Sequence, residues 1–153
     1  MKVETAFGKV NINSIEPYGE SSYILGYIKE PNDCSEYTML GIDVPVEDDP
    51  VWRFWVEEGF ADGSAQTHDA ELSEEDKLVI KYWIKEKHPE IKIFWSWDIY
   101  FFNVKEDRYD EIEFDAYTAK EAIKLFEDWC VQDEKLSKPY EIEEIFQIIY
   151  NEN

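Results

Sequence analysis

The 153-residue chain reads as an α+β protein, with an antiparallel sheet of about five strands packed with three to four helices. The strands come from an N-terminal meander plus a hairpin near residues 91–117. Three observations lead to this reading. Short alternating apolar segments separated by turn residues fill the first 45 positions. Residues 91–117 hold the longest period-two run in the chain, broken by one turn. Segments opening at Ser73 and Thr118 begin with a capping residue and continue at helical spacing.

In order, Val10 and Ile12 alternate with Lys9, Asn11 and Asn13, as a strand requires. Residues 16–22 (EPYGESS) make a turn, 23–28 (YILGYI) a second strand with Gly26 at a bulge position, 29–36 (KEPNDCSE) a loop, and 37–44 (YTMLGIDV) a third strand. Connections this short favour an antiparallel meander. Asp48, Asp49 and Pro50 resemble a helix start and predict a short helix over VWRFWVEEGF, ended by Gly59. Residues 61–72 are polar and aperiodic and read as a loop. Ser73 and Asp76 then form a capping box, with Glu74, Glu75 and Asp76 where the helix dipole favours anions. That helix runs to about His88, with Val79, Ile80 and Trp83 inward.

From 91 to 104, Ile91, Ile93, Trp95, Trp97, Ile99 and Phe101 share one strand face; Phe94, Tyr100 and Phe102 share the other with Lys92, Ser96 and Asp98. A strand apolar on most of both faces is expected to be central. Residues 110–117 pair with it, Ile112, Phe114 and Ala116 inward and Glu111, Glu113 and Asp115 outward. Thr118 and Glu121 cap a helix whose Ala122, Ile123, Phe126, Trp129 and Cys130 follow helical periodicity. Ser137, Lys138 and Pro139 are read as opening a last helix, with Ile142, Ile145, Phe146 and Ile149 on one face. With no repeat and no long linker, residues 1–153 are expected to form one acidic domain.

Charge is the outlying property. The chain holds 36 acidic and 15 basic residues, a net charge of −21. Every part is acidic: residues 1–60 carry 12 acids against 4 bases, and 111–153 carry 12 against 4, so no detachable tail explains the charge. A 44% apolar and 16% aromatic content excludes an acidic disordered chain. Such a surface repels nucleic acid and anionic membranes and steers basic proteins toward it. The opening residues lack a basic segment followed by an apolar run, and no stretch approaches the ~20 apolar residues of a membrane span, so a cytoplasmic protein is expected.

Catalytic signatures are missing from the sequence. It has no nucleophile elbow, no phosphate-binding glycine loop and no zinc-type cysteine spacing. His68-Asp69 stands without the further ligands a metal-dependent hydrolase needs, and reads as a solvated loop pair. Cys130 lies on an apolar helix face, where thiols are inert. Trp95 and Trp97, flanked by isoleucines, read as core rather than as a stacking platform. Lys77, Lys81 and Lys85 recur every four residues as a basic stripe on a solvent-facing helix. No cofactor and no metal are expected.

The acidic groups are the remaining candidates. Glu111, Glu113 and Asp115 project from one strand face at steps of ~6.6 Å, near the separation of successive phosphates on a nucleic-acid strand. Glu47, Asp48 and Asp49 form a triple; Glu57-Glu58 and Glu127-Asp128 form pairs on expected helices. Small acidic domains that inhibit nucleic-acid enzymes resemble this chain in size and charge. They include phage anti-restriction and anti-CRISPR proteins and immunity proteins against nuclease toxins; the likeness is one of composition and carries no residue over. The expectation is a non-catalytic inhibitor or nucleic-acid mimic that binds the basic surface of a nucleic-acid-processing or defence enzyme, without touching nucleic acid or membrane. Two alternatives stand beside it. One is a small enzyme or ligand-binding domain whose aromatic pocket contains a carboxylate of raised pKa. The other is an adaptor using an exposed aromatic patch around Trp52 and Trp55.

Overall fold

Both capping sequences form helices in the computed structural model, which describes residues 1–28 and 34–149. Helix α1 spans Glu74–Lys87 and α2 spans Ala119–Gln132. Ser73 Oγ accepts the Asp76 amide at 3.1 Å, and Thr118 Oγ1 accepts the Glu121 amide at 3.2 Å. Each bond satisfies a donor that the first helical turn leaves without a partner.

The chain divides into two compact units, Met1–Pro89 and Glu90–Glu152. The N-terminal unit holds a hairpin of β1 (Lys2–Thr5) and β2 (Gly8–Asn11). It also holds a five-stranded antiparallel sheet, in spatial order β3 (Glu16–Pro17), β4 (Ser22–Tyr27), β5 (Tyr37–Asp43), β6 (Arg53–Gly59) and β7 (Ala65–Asp69), and helix α1. One sheet face carries Leu40, Ile42, Phe54 and Val56, all buried. The C-terminal unit is a three-stranded antiparallel sheet of β8 (Trp95–Asn103), β9 (Arg108–Ala116) and β10 (Glu141–Ile148), in the order β10–β8–β9, with α2 on one side. Its core is Ile99, Phe101, Ala116, Ala122, Phe126, Cys130 and Tyr140. The β8–β9 turn closes on Asn103, whose Oδ1 accepts the Lys105 and Glu106 amides, while Asp107 takes a left-handed φ of 52°.

The fold departs from the expected one. It is mostly β, 44% strand and 19% helix, with three sheets and only two helices among the described residues, not one sheet with three to four helices. Two expected helices are strands. The segment after Pro50 leads into β6, an interior strand buried on both faces, so its apolar residues show no alternation; Trp52, just ahead of the strand, and Trp55 within it fall at a helix-like spacing of three. Asp48 and Asp49 lie in a tight turn closed by reciprocal Val46–Asp49 backbone bonds of 3.1 and 3.0 Å. The final segment is β10, and a bulge between Ile142 and Glu144 gives it a helix-like apolar spacing. One inserted residue shifts the inward parity from Ile142 to Ile145, an i, i+3 spacing that imitates a helix. Polar β7, an edge strand, lies inside the expected 61–72 loop. Of the expected loop at 29–36, residues 29–33 lie outside the described residues. In α1, Ile80 is buried as expected, Trp83 is half-buried and Val79 is exposed.

Candidate functional site

The pairing register of the C-terminal sheet decides which side chains share its open face, the one opposite α2. Four rows cross it. They are Glu141, Phe102 and Tyr109; Glu144, Tyr100 and Glu111; Phe146, Asp98 and Glu113; and Ile148, Ser96 and Asp115. Among the described residues, these rows carry six carboxylates and no lysine or arginine; Lys92, expected on this face, lies ahead of β8 with its ammonium 4.5 Å from the centre of the Tyr117 ring. Neighbours along a strand stand ~6.6 Å apart and neighbours across strands ~4.8 Å apart. Aromatic rings interrupt the carboxylates. Tyr100 and Tyr109 stack at 5.6 Å with planes 6° apart, Phe102 meets Tyr109 edge-on at 5.1 Å, and Phe146 is exposed. Ser96 Oγ donates to Asp115 at 2.7 Å.

Crowding leaves its mark on Asp98 in the middle strand. Desolvation, a hydrogen bond shared with Glu111 and the charges of Glu111 and Glu113 push its carboxyl up to about 6. Asp110, on the helix side of the same sheet, moves the other way. The Asn103 amide and the Arg108 guanidinium hold its carboxyl below the usual range.

The ten acids proposed from sequence do not form one surface. Glu111, Glu113 and Asp115 share the open face and are joined there by Asp98, Glu141 and Glu144. Glu127 and Asp128 lie on α2, across the sheet from them, and Asp128 pairs with Lys124 at 2.6 Å. Glu47, Asp48 and Asp49 are exposed in the N-terminal unit, where Asp49 pairs with Arg53 at 2.5 Å. Glu57 and Glu58 sit on a strand, not a helix, and so point to opposite faces. Glu58 is buried, with the His68 imidazole 3.0 Å from its carboxylate; Glu57 accepts hydrogen bonds from Tyr18 and Tyr37. His68 therefore stands on strand β7 with Phe7 against its ring at 4.9 Å, not in a loop.

Other expected features also shift. Lys81 is fully buried, its ammonium 5.4 Å from the centre of the Trp52 ring, so Lys77, Lys81 and Lys85 do not make a solvent-facing stripe. Trp55 is buried and Trp52 half-buried. Cys130 is buried and its thiol is pushed up by desolvation, whereas Cys34 is exposed. Among the described residues, no group of three or more His, Cys, Asp or Glu side chains is placed to hold a metal ion, and no helix is long and apolar enough to cross a membrane.

No protein-family model, curated protein or solved structure matches this chain.

Proposed function

We propose that this chain is a non-catalytic acidic protein that covers the basic surface of a nucleic-acid-processing or defence enzyme, using the open face of the β10–β8–β9 sheet. The observation that carries the reading is the composition of that face: six carboxylates with exposed tyrosines and, among the described residues of its four rows, no lysine or arginine. A surface that grips phosphates with lysine and arginine finds there a two-dimensional array of anions on a rigid sheet. Tyr100 and Tyr109 add ring faces that attract the same cations. The remaining charge of the chain lengthens the reach of the attraction and speeds encounter at low salt.

The test is retention on the immobilised protein of proteins from source-cell or host lysate, eluted by rising salt. A nucleic-acid enzyme released at moderate salt supports the reading. The triple variant Glu111→Gln, Glu113→Gln, Asp115→Asn is expected to weaken binding of that enzyme at least tenfold, and unchanged binding rules this face out. One observation favours a small enzyme instead: the Asp98 carboxyl, near 6, exchanges its proton close to neutrality. That reading requires a turnover that Asp98→Asn abolishes.

A further inference from the structure

The outer face of the five-stranded sheet holds a second feature, built on different residues. Glu57 pairs with Met39, and Met39 with Tyr27, in one row across three strands. Tyr37 lies flat over Gly59 and Trp55 over Gly41, where a Cβ on either glycine would enter the ring above it. Tyr18 covers Trp55, with ring centres 5.6 Å apart. Three of these rings remain open to solvent: Tyr18 is 50%, Tyr27 54% and Tyr37 37% exposed.

The hydrogen bonds of this patch run one way. The Tyr18 hydroxyl donates to Glu57 at 2.9 Å and the Tyr37 hydroxyl at 3.0 Å; the Trp55 indole N–H donates to Asp43 at 2.8 Å. The donors of Tyr18, Tyr37 and Trp55 are thus spent within the protein. Together with Glu57, those groups offer a ligand carboxylate and phenol lone pairs and aromatic faces. Among the described residues, the partners of Glu57 are these two neutral hydroxyls, and its charge has no cationic partner. The phenols stay protonated as donors: the bond to Glu57 raises both, Tyr18 to about 12.

We infer that Tyr18, Tyr27, Tyr37 and Glu57 form a binding site for an arginine side chain presented by a basic protein segment. A guanidinium carries only donors, stacks flat on tyrosine and donates to a carboxylate in the same pose. A sugar hydroxyl also needs donors from its site, and three of those nearest are already committed. The inference deepens the proposed function in that it too takes a basic partner, but it rests on the N-terminal unit and none of its residues lies on the acidic sheet face.

The experiment is an NMR titration of the full chain with the blocked peptide Gly-Arg-Gly, read at the Trp55 indole N–H and the Tyr18 and Tyr37 ring signals. Lysine and citrulline peptides of the same length and a neutral disaccharide serve as comparisons. The arginine peptide is expected to give a saturable shift at these signals, with affinity at least fivefold lower in Glu57→Gln and about threefold lower in Tyr27→Ala, an exposed position whose loss spares the fold. The triple variant of the acidic sheet face is expected to leave this titration unchanged, so failure here and failure of the proposed function are read separately. Immobile signals, equal binding of the lysine or citrulline peptide, undiminished binding by both variants, or a shift produced by the disaccharide alone would each overturn the assignment.

Discussion

Replacing Asp98 by asparagine is expected to stabilise the protein at pH 7.5 and to change little near pH 4. In the unfolded chain this carboxyl titrates near the ordinary aspartate value of 3.8, and in the fold near 6. The folded state therefore holds the proton more tightly between those values. The stability linked to that proton is complete below about 3.8 and is lost as pH rises through about 6. At ~1.36 kcal/mol per pH unit, and discounted for the partial exposure of the side chain, the destabilisation at pH 7.5 is about 1–2 kcal/mol. Asparagine keeps a donor toward Glu111 and removes the charge, so the variant recovers that amount. Urea unfolding of both proteins, followed by tryptophan fluorescence at pH 4 and 7.5, measures it. With an m-value of roughly 1–2 kcal/mol/M, the midpoint of the variant moves up by about 1 M at pH 7.5. The comparison between proteins cancels titrating groups that do not touch Asp98. An equal difference at both pH values would refute the crowding of Asp98 by Glu111 and Glu113.

Three further outcomes follow from packing. Phe126→Ala, at a fully buried position whose ring lies 5.1 Å from Phe101, is expected to cost about 3–5 kcal/mol in urea unfolding; a loss below about 1 kcal/mol contradicts the core described. A maleimide should label one thiol per native chain, exposed Cys34, and reach buried Cys130 only after denaturation; rapid double labelling of the native protein contradicts the placement of Cys130. Gly59→Ala places a methyl group inside the Tyr37 ring and is expected to lower stability by about 1–3 kcal/mol; an unchanged melting temperature shows that Tyr37 does not rest there.

Some of this architecture could be read from local pattern alone. Ser73 and Thr118 announce their helices because capping is a contact over three residues. The two-faced apolar run at 95–103 announces a middle strand, and alternation along β9 places Glu111, Glu113 and Asp115 on one side. Polar edge strand β7 had no signal to find, because an edge with little buried surface imposes no apolar pattern.

The charge, the two capped helices, the β8–β9 hairpin and the missing catalytic spacings are legible in the chain before it folds, because all are properties of composition or of neighbours within a few residues. Which acids stand together depends on how the strands pair. Asp98, Glu141 and Glu144 come from strands separated by some forty positions and meet Glu111, Glu113 and Asp115 through register. A single bulge at β10 sets which of Glu143 and Glu144 joins them, and the parity of a strand, rather than a helix, sends Glu57 to the tyrosines and Glu58 into the interior. Side-chain direction in a sheet reverses at every residue, so one inserted residue, or a strand in place of a helix, exchanges surface for core.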